Sequence, residues 1–374
     1  MPEAFWDKFK NYIHPIATLS GTIIGVGFFS LPYITSKVGF GVILGYFFVL
    51  GSLVILTHLF FGELALKTPD FKRLPGFAKF YFGNFGQNLA LVSIIFGTFG
   101  AILAYLIVGG EFLTELFSPI FGGNSLIYTL FYWFFGTILI FFGIKIISKV
   151  EIFDLISFLI ILILLLFKGL SDFKIKNLFP SPDFSQIFLP YGPILFSLWG
   201  ADLIPEVEEM LEEDKKFLPK IILISVLIPA IFYLLFIFSI LGITGQRTTE
   251  SALIGLKDFL GQGIVFPMLL FGVLTTFTSF IALGLTLKEV FWYDFEIEKN
   301  LAWAITSFLP LILYLVGIKK FIPVIGFAGG VMLGIDGILI LLMYRKIKPK
   351  QILVYPLFLI LFGGIIYEII YFFR

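Results

Sequence analysis

The sequence predicts an all-α polytopic membrane protein of about eleven transmembrane helices. Two observations carry that class. The 374-residue chain is 59% hydrophobic and 14% charged, whereas a soluble domain is about 25% charged. No soluble fold of this length could hide so much apolar side chain. The apolar residues also come in runs of roughly the 20 residues that cross a bilayer, with polar breakers between them.

The runs justify the spans in order. The first covers 12–36, behind a mixed-charge N-terminal segment, MPEAFWDKFKNYIHP, that lacks a signal-peptide pattern. The first span is therefore expected to serve as its own insertion signal. The second, 40–66, stops at TPDFKRLPG, and the third, 86–117, stops at SPIFGGN. The fourth is 125–144. The fifth, 150–170, opens on Glu151 and Asp154, acids that suit a helix N-terminus, and closes at SDFKIKNLFPSPDF. The sixth, 190–211, runs into EVEEMLEEDKK, read as a solvated helix end or a partner for basic inner loops. The seventh, 219–243, ends at ITGQRTTES, and 261–291, 300–317, 320–344 and 351–373 follow. The third and eighth spans are long enough to tilt strongly. The stretch FKRLPGFAKFYFGNFG mixes Lys and Arg with aromatics and suits the inner membrane surface. The larger share of the 26 basic residues falls on the N-terminal side of this layout, among them Lys67, Arg73, Lys215, Lys288 and Lys346. That bias puts the N-terminus in the cytoplasm and the C-terminus outside.

Composition excludes several activities. There is no cysteine, so thiol catalysis and thiolate metal sites are out, and two histidines do not make a His-rich metal centre. A net charge of +1 argues against a nucleic-acid partner. Scattered acids and distant histidines do not form a catalytic cluster, and an enzyme is not expected. The interruptions described next lie within one chain and are unlike a channel filter.

Two spans carry residues that a plain membrane helix does not need. Residues 21–32 read GTIIGVGFFSLP, and 193–210 read PILFSLWGADLIPEVEEM. Glycine in a helix interior costs on the order of 1 kcal/mol against alanine. Gly21 and Gly25 form a GxxxG, which fits close helix packing, or the helix breaks here. In the sixth span Asp202 follows Gly200 and Ala201, and Pro205 removes a backbone donor. Asp202 is either the N-cap of a second half-helix or a functional charge. Paired interruptions in corresponding places of two five-span halves point to a transporter binding site.

Four stretches, in the right order, resemble one known group. GTIIGVGFFSLPY, AYLIVGGEFL (104–113), FSLWGADLIPEV and TTFTSFIALGL (275–285) resemble the first, third, sixth and eighth spans of the amino acid/auxin permease and hydroxy- and aromatic-amino-acid permease branch of the amino acid-polyamine-cation transporter superfamily. The resemblance implies a single transporter domain, 1–374, with the LeuT-type five-plus-five inverted repeat. Residues 12–170 would form the first repeat, 190–344 the second, and 351–373 an extra helix. It implies cation-coupled uptake of a neutral amino acid, aromatic ones included, by alternating access in the cell membrane. No cofactor is implied beyond Na+ or H+ as coupling ion. The oligomeric state stays open, a monomer included. The alternatives are a proton-coupled permease for another small solute and a non-transporting amino acid sensor.

The same resemblance assigns residues. The unwound part of the first span, Ile23, Ile24, Gly25, Val26 and Gly27, would meet the substrate through main chain. Phe196, Ser197, Leu198, Trp199 and Gly200, with Asp202 beyond them, would form the opposite wall. The third span would lend Phe96, Gly97, Gly100, Ala101 and Ala104. A sodium ion would take carbonyls of Gly21, Ile24 and Thr275 and hydroxyls of Thr278 and Ser279. Those hydroxyls could equally bond back to their own helix. Phe28 stands where some relatives carry an Asn for a second sodium. Asp202 and Asp336 are candidates for proton coupling or gating. His58 reads as a structural hydrogen-bonding group, Glu63 as a residue near the inner surface, and Glu111 and Glu115 as a solvated rim.

Overall fold

Lipid offers no hydrogen-bond partner, so an apolar run pairs its backbone within its own segment and becomes helix. The structure, a computed structural model, describes residues 2–69, 73–143, 147–169 and 171–374, and every regular element among the described residues is helical. The first span is α1 (Pro2–Ile23), a break, a 3-10 turn (Val26–Ser30) and α2 (Leu31–Val38). Then come α3 (Phe40–Lys67), α4 (Leu74–Phe121), α5 (Ser125–Phe142) and α6 (Ile147–Gly169). The sixth span is α7 (Tyr191–Leu198), a break, a 3-10 turn (Ala201–Leu203) and α8 (Ile204–Met210). After it run α9 (Leu218–Thr244), a short α10 (Lys257–Leu260), α11 (Gln262–Glu289) and α12 (Lys299–Leu315). The tenth span is α13 (Phe321–Gly326), a π-helical stretch (Phe327–Leu333) and α14 (Gly334–Ile347), and α15 (Val354–Phe372) closes the chain.

Among the described residues seven helices are long and apolar enough to cross a membrane, eight when the bent pair Tyr12–Ile23 and Val26–Val38 counts as one. The other three predicted spans fall on shorter helices: Phe158–Gly169, Lys299–Leu315, and the broken α7–α8 pair. α4 is longer than the predicted third span because two helices run on across Gly83, whose φ of 65° only glycine adopts at little cost. The residues before Gly83 form the first turns of α4, where Phe80 is 55% exposed. Lys72, Lys145, Lys149, Glu151 and Asp154 lie outside the described side chains.

The core forms where α4 packs along α11 and α5, α1 along α9, and α7 along the π-helical stretch. Lys288, counted by charge among the inner loop lysines, lies in the last turn of α11. It is buried, and its ammonium donates to Ile140 O at 2.8 Å and Phe141 O at 3.1 Å. It thereby satisfies carbonyls at the C-terminal end of α5 and binds α11 to α5. Lys288→Met is expected to cost about 1.5–3 kcal/mol, the worth of hydrogen bonds to a charged group. The check is Tm of the detergent-solubilised protein; an unchanged value would show that these bonds add no net stability.

Candidate functional site

Both interruptions fall where the sequence put them, and both have a physical cause. α1 ends at Ile23, and Gly25 is extended (φ −112°, ψ −166°). The Gly25 N–H turns to Ile23 O at 2.9 Å instead of continuing the ladder to Gly21. The next amide, Val26 N–H, donates to the Tyr105 hydroxyl at 3.2 Å. In the sixth span α7 ends at Leu198, Trp199 is extended (φ −77°, ψ 134°), and Pro205 stands in the first turn of α8. The Gly200 N–H, which would otherwise be orphaned, donates to Nε2 of His58 at 3.4 Å.

One side chain touches both breaks. The Tyr233 hydroxyl lies 2.8 Å from Ile23 O and 3.2 Å from Ser197 O, the carbonyls that close the two half-helices. The breaks also press together: a Cβ on Gly27 would stand 2.5 Å from Ser197 Oγ and 2.7 Å from a ring carbon of Phe196.

Around them lies a cavity of about 240 Å³. Its lining includes Gly21, Ile23, Ile24, Gly25, Gly27, Phe196, Ser197, Trp199, Asp202, Thr278, Ser279 and Asp336, all expected from the sequence. A neighbouring cavity of about 20 Å³ takes in Val26 and Thr275. Gly200 shapes the break without lining either cavity. A larger groove of about 740 Å³ between α4, α5 and α11 is lined by Phe117, Phe131, Phe277 and similar residues. It lacks convergent polar groups, which mark a ligand site better than size does.

The third span needs correction. Phe96 is 55% exposed and lies outside the cavity lining. Gly100 is a packing glycine, since a Cβ there would meet Ala328 Cβ at 2.9 Å, and buried Ala104 does not reach the cavity. The lining comes from Ser93, Gly97, Ala101 and Tyr105, four residues apart along one row of α4, together with Ile94 and Thr98. That i, i+4 row was the available signal for Ser93 and Tyr105.

The candidate sodium ligands are all oxygen, the right donors for an alkali cation. Thr278 Oγ1 lies 3.0 Å from Leu274 O and 3.0 Å from Thr275 O, and Thr275 Oγ1 donates to Gly272 O at 3.2 Å. The two threonine hydroxyl protons are therefore used within α11, and Thr275 O already has a donor.

Access is one-sided. Asp202 and Thr22 are exposed at the cavity. Beyond the first break, Phe29, Phe112 and Phe236 are at most 1% exposed, and Phe28 stacks within 5.8 Å of Tyr233 and packs edge-on against Phe158. At the Asp202 side Glu206 pairs with Arg73 at 3.4 Å and the buried Glu208 with Lys215 at 2.6 Å. Glu63 holds Lys67 at 2.7 Å and Lys348 at 2.8 Å and accepts from Tyr344, tying α3 to α14. Glu115 pairs with Lys257 from α10 rather than standing free on a rim.

Residues 9–373 match the model of the tryptophan/tyrosine permease family. The chain belongs to that family. The permease is 26% identical over 332 residues to tyrosine-specific transport system 1 of Haemophilus influenzae, covering 83% of this chain and 82% of the relative. It is 22% identical over 348 residues to glutamine transporter 2 of Aliivibrio fischeri, covering 89% and 88%. Its fold is shared with MhsT in complex with L-phenylalanine (TM-score 0.64, 18% identity, 96% and 98% covered). It is also shared with Mhp1, a nucleobase-cation-symport transporter closed around bromovinylhydantoin (TM-score 0.63, 14% identity, 93% and 80% covered). The permease is thus a multi-pass membrane transporter with the LeuT-type fold, as the four sequence stretches implied.

Proposed function

We propose that this permease takes up a neutral amino acid, aromatic ones included, across the cell membrane by alternating access, driven by Na+ or H+. One observation carries the reading: the breaks in the first and sixth spans meet on a single cavity and share the Tyr233 hydroxyl. Free amides at the start of a half-helix suit the substrate carboxylate, and freed carbonyls suit its ammonium. The relatives' tyrosine and glutamine, and the phenylalanine of MhsT, support the substrate class. In this reading residues 12–170 and 190–344 are the two repeats of an eleven-span chain, 351–373 is the added helix, and the N-terminus is cytoplasmic. Asp202 then faces the cell interior, and the closed aromatic side faces out.

The coupling ion has two candidate places. Gly21, Ile24, Thr275, Thr278 and Ser279 line the two adjoining cavities, which supports a sodium set there. The threonine hydroxyls donate within α11 and keep their lone pairs for an ion, so they do not separate the two; the proton reading rests on the buried Asp336, whose Oδ2 has no hydrogen-bond partner. The test is uptake of labelled L-tyrosine into proteoliposomes, with an inward sodium gradient at equal pH and with an inward proton gradient free of sodium. Accumulation is expected with the proton gradient, and Thr278→Ala is expected to change it less than about threefold, a shift below about 1 kcal/mol. Sodium-driven accumulation abolished by Thr278→Ala would move the ion to the first and eighth spans. Binding without accumulation under either gradient would leave the sensor reading.

A further inference from the structure

We propose that Asp336 and Asp202 share one proton at the inner end of the cavity, with Asp336 as its store and Asp202 as its exchange point. The proposal rests on the transport reading above and names the groups that carry its coupling ion.

Asp336 sits on α14 and is 1% exposed. Its Oδ1 accepts a hydrogen bond from Ser93 Oγ on α4, its Oδ2 is buried without a donor, and the residue lines the cavity. A buried carboxylate is tolerated when a partner or a proton neutralises it. Among the described residues no salt bridge supplies that to Asp336. From α4 the facing group is the Ser93 hydroxyl, and the ionisable Tyr105 lies farther along the helix. On α3 the titratable group near the break is His58, fully buried beside Trp199, whose Nε2 accepts from Gly200 and so carries no proton. From the sixth span come Trp199 and the second carboxylate, Asp202. From α15 come Leu361 and Ile365, packed at Gly334 and Gly337. Glu368 lies beside Gly326 and Gly330, about 9 Å or more along the helix at 1.5 Å per residue, and accepts from Gly192 N–H. The nearby arginine, Arg73, is engaged by Glu206 at the mouth, and Lys348 by Glu63 at the end of α14.

The donor set also speaks against a metal ion. Among the described residues no group of three His, Cys, Asp or Glu side chains converges. Two carboxylates and one hydroxyl are few ligands for a hard cation, which takes about six or more oxygens. A proton needs only one oxygen with an open lone pair, and Asp336 Oδ2 is such an oxygen.

Place fixes how the proton acts. From Ser93 to Tyr105 is twelve residues of α4, about 18 Å at 1.5 Å per residue. Tyr105 marks the substrate end, at the first break, and Ser93 marks the Asp336 end of the same cavity. An amino acid held at the break is too short to touch Asp336. The two carboxylates instead line the same cavity, Asp336 from the tenth span and Asp202 from the turn before α8. Unprotonated, they repel and hold these elements apart; one shared proton removes a charge and lets them close. Asp202 is exposed, so the proton leaves to water there: the carboxylic O–H bond breaks and the carboxylate is restored.

The experiment uses the full-length permease in sodium-free proteoliposomes and labelled L-tyrosine, reading proton-driven accumulation and exchange against internal unlabelled tyrosine. The expected result for Asp336→Asn is a fall of more than tenfold in the ratio of accumulation to exchange, with an exchange rate that no longer varies between about pH 5 and 8. Asp336→Glu is expected to restore part of the ratio. Should Asp336→Asn fail to fold, Asp202→Asn is expected to lower the same ratio. An unchanged ratio and pH profile in the folded variant would overturn the proposal while leaving transport intact. Wild-type protein that neither accumulates nor exchanges tyrosine, nor any other neutral amino acid, would instead overturn the transport reading.

Discussion

Gly27→Val is expected to lower tyrosine affinity and uptake by roughly 10–100-fold without preventing the chain from reaching the membrane. The estimate follows from contact. Even a Cβ at this position would stand 2.5 Å from Ser197 Oγ and 2.7 Å from Phe196. Ser197 Oγ is itself engaged with Pro193 O at 2.7 Å, so neither neighbour yields freely. Forcing methyl groups into such a contact costs about 1–3 kcal/mol, and each 1.4 kcal/mol is tenfold in an equilibrium constant. The strain falls on the approach of the two broken spans, whereas the helices on either side keep their own ladders. Equilibrium binding of labelled tyrosine to purified protein, with Tm measured beside it, separates the two effects. A variant that binds as well as the wild type would show that the close approach at Gly27 is packing alone.

The breaks were legible because they violate local rules. Glycines at 21, 25 and 27, and Asp202 with Pro205, stand out in apolar runs where lipid-facing helix tolerates them poorly. The groups that satisfy those breaks were not legible as such. Tyr105 answers Val26 from 79 residues away, and His58 answers Gly200 from 142 away. His58 was read as a structural hydrogen-bonding group and is one, but its partner, like that of Tyr105, depends on tertiary contacts. The third span failed differently. A helix that is apolar all round has no polar face to orient it. The sequence therefore offered both the row with Gly97 and Ala101 and the row with Phe96, Gly100 and Ala104, and the structure takes the first. Lys288 misled for a related reason, since charge alone does not distinguish a loop lysine from one that caps a buried helix end.

Tyr233→Phe is the sharper test of how the two breaks work together. The substitution keeps the ring, with its stacking on Phe28 at 5.8 Å and its edge contact to Phe158 at 6.3 Å. It removes only the hydroxyl. Ser197 O then loses the Tyr233 donor in a buried place, Ile23 O is left with the Gly25 N–H alone, and a buried unsatisfied group costs about 1–3 kcal/mol. α9 remains tied to α1 through Ser20 Oγ to Ser225 O at 3.3 Å and Ser225 Oγ to Ile16 O at 3.4 Å, so the global fold keeps independent support. The lost proton is shared between the first and sixth spans, so the expected loss is in their joint movement. Turnover should fall about tenfold or more, at 1.4 kcal/mol per decade, with a smaller change in tyrosine affinity and a modest fall in Tm. Uptake and binding measured on the same preparation decide it. A fall in Tm large enough to account for the lost uptake would make Tyr233 a structural support only. Undiminished turnover would mean that the two half-helices move together without it.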